Sequence, residues 1–102
     1  MTDAEYEREA VRILHERLAV HTNQRVLELL AKPALTEREQ AEIAHAAHAS
    51  CCHWMCAGTP LHRQRAEWLV ARVYCWLGRG SAALVHAGYC RELTREYAAE
   101  ME

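Results

Sequence analysis

The sequence predicts an all-α fold, four helices in an antiparallel array, in one domain spanning residues 1–102. Three observations predict it. Alanine is abundant, while the chain has four glycines, two prolines and no phenylalanine, a balance that favours packed helices over sheet. Two Thr-x-x-Glu capping boxes, at Thr2 and Thr36, stand where helices would begin; in each, the hydroxyl serves the first turn and the glutamate reaches back. Lys32-Pro33, Gly58 and Gly78 stand where helices would end.

The first helix is expected from about residue 3 to 31. Tyr6, Ala10, Ile13, Val20 and Leu27 make one apolar stripe along it, and Val11, Leu14, Leu18 and Leu29 make a second. Together they cover about half the cylinder, so this helix is expected to touch two neighbours. The polar run His21-Thr22-Asn23-Gln24 is a candidate break. If the helix is straight it is roughly 43 Å long, against about 30 Å for its neighbours. The overhang then predicts a homodimer through this helix, with Ile13, Leu18 or Val20 at or near the contact.

The second helix runs from the Thr36 cap to Gly58. Thr59-Pro60 opens the third, with proline at the first helical position, where its missing N–H costs nothing. Leu77-Gly78 closes it. The third helix is apolar nearly all round, through Leu61, Trp68, Leu69, Val70, Ala71, Val73, Cys75, Trp76 and Leu77. It is therefore expected at the centre, with Arg63 and Glu67 on a narrow wet edge. Arg65 and Arg72 are expected to pair with carboxylates, because a buried unpaired charge is costly. Ser81 is the expected cap of the fourth helix, which runs to near the C-terminus. Short loops at 58–60 and 78–80 make the last three helices antiparallel neighbours.

The third and fourth helices, "EWLVARVYCWLGRGSAALVHAGYCREL", resemble a tetratricopeptide-repeat (TPR) unit. Ala71, Tyr74, Gly78, Ala83 and Cys90 fall at five of that repeat's fixed offsets. Cys90 replaces the usual late alanine, and Arg95 stands near the place of the closing proline. In the preceding 34 residues only Ala49 and Cys56 occupy small-residue offsets. The resemblance implies a helical interaction module whose flanking helices cap a single repeat. Over about residues 20 to 95 the chain also resembles a set of small uncharacterised bacterial proteins. "NQRVLELLAKP", "HAAHAS", "HW", "GTP", "RAEWLVARVY" and "ALVHA" carry that likeness, which marks His45, His48, His53, Trp54 and Trp68 and implies no activity.

The stretch "AHAAHASCCHWMC", residues 44–56, concentrates the chemistry. At 100° per residue His45, His48, Ala49, Cys52, Met55 and Cys56 share one stripe. Ile43, Ala47 and Trp54 lie opposite, and His53 sits apart, on the side of Glu39, Glu42 and Ala46. His45–His48 and His48–Cys52 are chelating pairs at i, i+3 and i, i+4. His45 to Cys56 spans about 16 Å, too far for one ion. Counting back through the short loops brings His86 level with His45. The candidate metal set is therefore His45, His48, Cys52 and His86, for a transition metal such as zinc or copper, or for haem. The competing reading is packing: cysteine acts as a small hydrophobe between helices, and buried histidines find carbonyl or hydroxyl partners. Cys51, Cys52 and Cys56 lie mid-helix or towards its C-terminal end, where the helix dipole opposes a thiolate. No catalytic residues stand out.

The net charge is −2, from fourteen acids and twelve bases. Lys32 is the one lysine, and arginines alternate with acids along the chain. This gives no one-sided basic footprint for nucleic acid. No run approaches the roughly 18 apolar residues of a membrane span, and the first residues lack a secretory signal pattern. Five cysteines, two of them adjacent, read as reduced thiols in a cytosolic protein. The function expected is a TPR-like protein-interaction or scaffold module without a cofactor, its partner another protein or a second copy. The alternative is a small metal- or haem-binding protein built on the histidine and cysteine cluster.

Overall fold

The computed structural model describes residues 1–100. Four helices follow one another: α1 (Asp3–Leu30), α2 (Glu37–Ala57), α3 (Pro60–Trp76) and α4 (Gly80–Tyr97), then a 3₁₀ turn at Ala98–Glu100. The array is sequential. α1 packs on α2, α2 on α3, and α3 on α4. The centre is therefore shared by α2 and α3 and does not belong to α3 alone.

The helix starts follow the capping chemistry. Thr2 Oγ1 accepts from the Glu5 N–H at 3.2 Å. At Thr36 the box is complete: its hydroxyl accepts from Glu39 N–H, and Glu39 Oε1 accepts from Thr36 N–H. Thr59 caps α3 with His62 in place of the glutamate, its N–H donating to His62 Nδ1 at 3.1 Å. α4 departs from expectation. It begins at Gly80, one residue before Ser81, after Arg79, which offers no side-chain cap. The reason lies in the turn. Gly78 takes φ +74, Gly78 N–H donates to Cys75 O and Arg79 N–H to Tyr74 O. This Schellman closure satisfies the end of α3 and returns the chain to helix at once.

α1 is unbroken across His21–Gln24. Thr22 turns its hydroxyl back onto the carbonyls of Leu18 and Ala19, so the polar run is satisfied within the helix. The face of α1 that packs on α2 takes only Leu29 from the two expected stripes. It carries the fully buried Ala19, Val26 and Leu29, while Tyr6, Val11, Ile13, Leu14, Leu18, Val20 and Leu27 are all exposed.

The core lies between the C-terminal half of α1, α2 and α3: Val26, Leu29, Ile43, Ala47, Leu69, Val70 and Val73, with Trp54, Tyr74 and Leu77 against its edge. α4 contributes one buried residue, Ala83. α3 is less enclosed than its composition suggests. Trp68 is 53% exposed and Trp76 42%. Arg72 lies over the Trp68 ring, 5.4 Å from its centroid, and like Arg65 it is exposed. Both are solvated and need no buried carboxylate. Among the described residues no helix is long and apolar enough to cross a membrane.

Candidate functional site

Polar side chains meet on the inner faces of α2, α3 and α4. Glu67 is the one acid of α3, and its side chain is only 12% exposed. It does not mark a wet edge; both carboxylate oxygens are engaged. Oε2 lies 2.7 Å from His86 Nδ1, and Oε1 accepts from the Cys51 thiol at 3.2 Å. An ionised carboxylate can only accept, so this contact places a proton on His86 Nδ1; in the neutral ring the lone pair is then on Nε2.

His48 stands beside this pair. Its ring meets that of His86 edge to face at 5.2 Å between centroids, and its Nε2 lies 2.7 Å from the Tyr74 hydroxyl. Tyr74 in turn stacks along His86 at 5.8 Å, and Tyr89 closes the other side edge-on at 5.5 Å. Burial, helped by the nearby His86, holds the His48 imidazole below its ordinary range and keeps it neutral. Burial also pushes the Cys51 thiol up to about 12, and donation to Glu67 adds to this. Cys51 is therefore a hydrogen-bond donor and not a nucleophile.

Of the residues singled out from the sequence, the structure brings His48 and His86 together. His45 and Cys52 are exposed, and the thiol that reaches the cluster is Cys51's. Among the described residues no group of three or more histidines, cysteines or acids is arranged to hold a metal ion. Glu67 and Tyr74 were not singled out as site residues. One signal for Glu67 was available: a lone acid on an otherwise apolar and basic helix. Tyr74 follows seven residues later on the same face of α3.

The side of α2 that carries His53, Glu42 and Glu39 faces α1. His53 Nδ1 lies 2.8 Å from His15 Nδ1. Arg25 grips Glu42 through two bonds of 2.6 and 3.0 Å, and Lys32 pairs with Glu39. These three pairs fix the antiparallel register. His15 meets His53 four residues before α2 ends, so the first turns of α1 project beyond it. Residues 1–14 are exposed throughout.

Compared with protein-family models, curated proteins and solved structures, the chain matches none.

Proposed function

We propose that the chain is a helical protein-interaction module that works as a homodimer, closed through the outer face of α1. One observation carries this reading. Tyr6, Ile13, Val20 and Leu27 recur every seven residues and are 58, 38, 54 and 43% exposed. A seven-residue repeat drifts only about 20° per step on a straight helix. The four therefore form one strip on the side away from Ala19 and Val26. Ala10, Arg17 and Gln24 fill the alternate positions of a coiled-coil seam. Ile13, Glu16, Arg17 and Val20 surround a shallow hollow at its middle. In a two-fold antiparallel pairing with Ile13 against Val20 of the second copy, Glu16 stands opposite Arg17 of the second copy. Each charge then meets its opposite on both sides of the axis.

The TPR-like reading of α3 and α4 is supported by the burial of Ala71 and Ala83 and by the positive φ of Gly78. Five free cysteines support a reducing, cytosolic setting. Sedimentation velocity across the micromolar range tests the dimer. The expected result is a dimer mass for the wild type, and a monomer of unchanged helical circular dichroism for Ile13→Asp with Val20→Asp. A monomeric wild type overturns the proposal.

A second reading is supported by the Glu67–His86 contact. A histidine that ligates a metal usually donates its other ring N–H to a carboxylate or carbonyl. A transition metal such as zinc or copper would take His86 through Nε2, with His48 or His45 completing the set. His48 would have to release Tyr74 if its Nε2 were the ligating atom, and Cys52 would have to turn inward to take part. Elemental analysis of protein purified without a histidine tag tests this. Metal near one equivalent, lost in His86→Ala, supports it; metal-free protein whose melting temperature ignores added zinc sinks it.

A further inference from the structure

Between α2, α3 and α4, outside the His48–Tyr74 contact, a cavity of about 290 Å³ opens to solvent. It lies just below the volume of sites that hold drug-sized molecules. Four charged side chains reach it: Arg63, Glu67, Glu92 and Glu96. Their pairing is incomplete. Glu67 is engaged by His86 and Cys51. Among the described residues Arg63 has no carboxylate in ion-pair distance. Its guanidinium lies 5.7 Å from the centroid of the Tyr97 ring, and its Nε is buried without an acceptor. Nε is closed to solvent, so an acceptor in the cavity would reach Arg63 through its terminal nitrogens, which make no hydrogen bond among the described residues and are not closed off. Glu92 and Glu96 stand one turn apart on α4, both exposed. They form a like-charged pair that a cation would relieve.

A ligand that satisfies both ends carries an anionic acceptor for Arg63 and a cation for Glu92 and Glu96. Leu93, Met55 and Tyr89 complete the lining with apolar surface. A cation alone leaves the Arg63 donor unmet, and an anion alone adds charge beside three carboxylates. We propose that this cavity binds a free α-amino acid with an apolar side chain, its carboxylate on Arg63 and its ammonium between Glu92 and Glu96. The Cys51 thiol, held protonated against Glu67, takes no covalent part. This site is independent of the α1 dimer.

Isothermal titration calorimetry on the full chain tests it with L-leucine, L-methionine and L-phenylalanine as probes, and with leucinamide and N-acetyl-leucine as their one-charge counterparts. The expected result is saturable binding of at least one of the three amino acids, one per chain. For leucine, or for the corresponding derivatives of whichever acid binds, loss of either charge weakens binding by at least about ten-fold. Arg63→Gln weakens the amino acid to the level of its amide and leaves the amide's own affinity unchanged, a pattern that general loss of structure does not produce. Glu92→Gln with Glu96→Gln weakens the amino acid to the level of its N-acetyl form. The proposal is overturned if none of the three amino acids binds, if the amide binds as tightly as the acid, or if Arg63→Gln binds the amino acid as well as wild type does.

Discussion

The Ser50 hydroxyl donates to the main-chain carbonyl of Ala19 at 2.9 Å, across the α1–α2 interface. Ser50 is 1% exposed, the only buried polar residue among those described, and Ala19 is fully buried. The bond locks the two helices in register between the His15–His53 and Arg25–Glu42 contacts. Ser50→Ala removes the donor but leaves the carbonyl its helical partners and Thr22. The expected loss is about 1 kcal/mol, read as a lower urea midpoint with an unchanged slope. A larger loss with a changed slope would mean that α1 had detached.

The tight turn between α2 and α3 gives a second expectation. Gly58 has φ −90, a backbone open to any residue. A Cβ there would lie 2.7 Å from the Trp54 carbonyl oxygen and 2.8 Å from His62 Cβ. Neither can yield easily, because the Trp54 carbonyl accepts from Gly58 N–H and the Trp54 and His62 rings stack at 4.3 Å. Gly58→Ala is therefore an overpacking change costing about 1–3 kcal/mol. Gly78→Ala meets nothing within 4 Å but is held at φ +74, so its cost, about 1 kcal/mol, is backbone strain alone. Thermal melts of the two variants should rank them in that order.

These two glycines show what the sequence makes legible. Both helix ends can be read from residue type, yet glycine is required at Gly78 by its dihedral angle and at Gly58 by its neighbours, a difference only packing reveals. The helix count and the starts of α1, α2 and α3 follow from local chemistry, threonine caps and proline, and are legible; the start of α4 at Gly80, set by the Gly78 turn, is not. Which face of α1 is buried is not. Apart from Leu29 the large residues of its apolar stripes are exposed, and its packed face runs through Ala19 and half-buried His15, Thr22 and Asn23, because small residues and satisfied polar ones let two helices approach closely. Counting through the short loops brings His86 level with His45, and the structure sets it one turn further on, against His48, while Glu67 between His86 and Cys51 depends on rotation about α3 that no spacing fixes.

Acid should destabilise the fold in two windows. His48 has a folded pKa below its ordinary 6.5, chiefly through burial and then through the nearby His86 and His45, which outweigh Glu67. The unfolded chain therefore takes up its proton first, and stability falls as pH drops below about 6.5. Glu39 is held at about 2 by Lys32 and the Thr36 cap. Its contribution is present above 4.5 and is lost as pH falls from there towards 2. Urea midpoints measured from pH 8 to 3 should show both declines. His48→Gln, which keeps a partner for Tyr74, should flatten the upper one and leave the lower in place. An unchanged upper decline would assign it to other histidines.

The last expectation concerns the five thiols, which the fold sorts into three classes. Cys52, Cys56 and Cys75 are exposed, Cys90 is half-buried and Cys51 is buried. Alkylation needs both access and thiolate, and the two criteria agree here. Burial raises the Cys90 pKa, and burial with Glu67 takes Cys51 to about 12. With iodoacetamide at pH 8, followed by peptide mass spectrometry, the exposed three should be modified first, Cys90 next and Cys51 last. In denaturant the five should react alike. Glu67→Gln removes the carboxylate that disfavours the Cys51 thiolate but leaves the larger effect of burial. Cys51 should therefore react somewhat faster in that variant and still remain the slowest. Modification of Cys51 ahead of Cys90 in the native wild-type protein would mean that its thiol is neither buried nor held on Glu67, and the polar cluster described above would have to be redrawn.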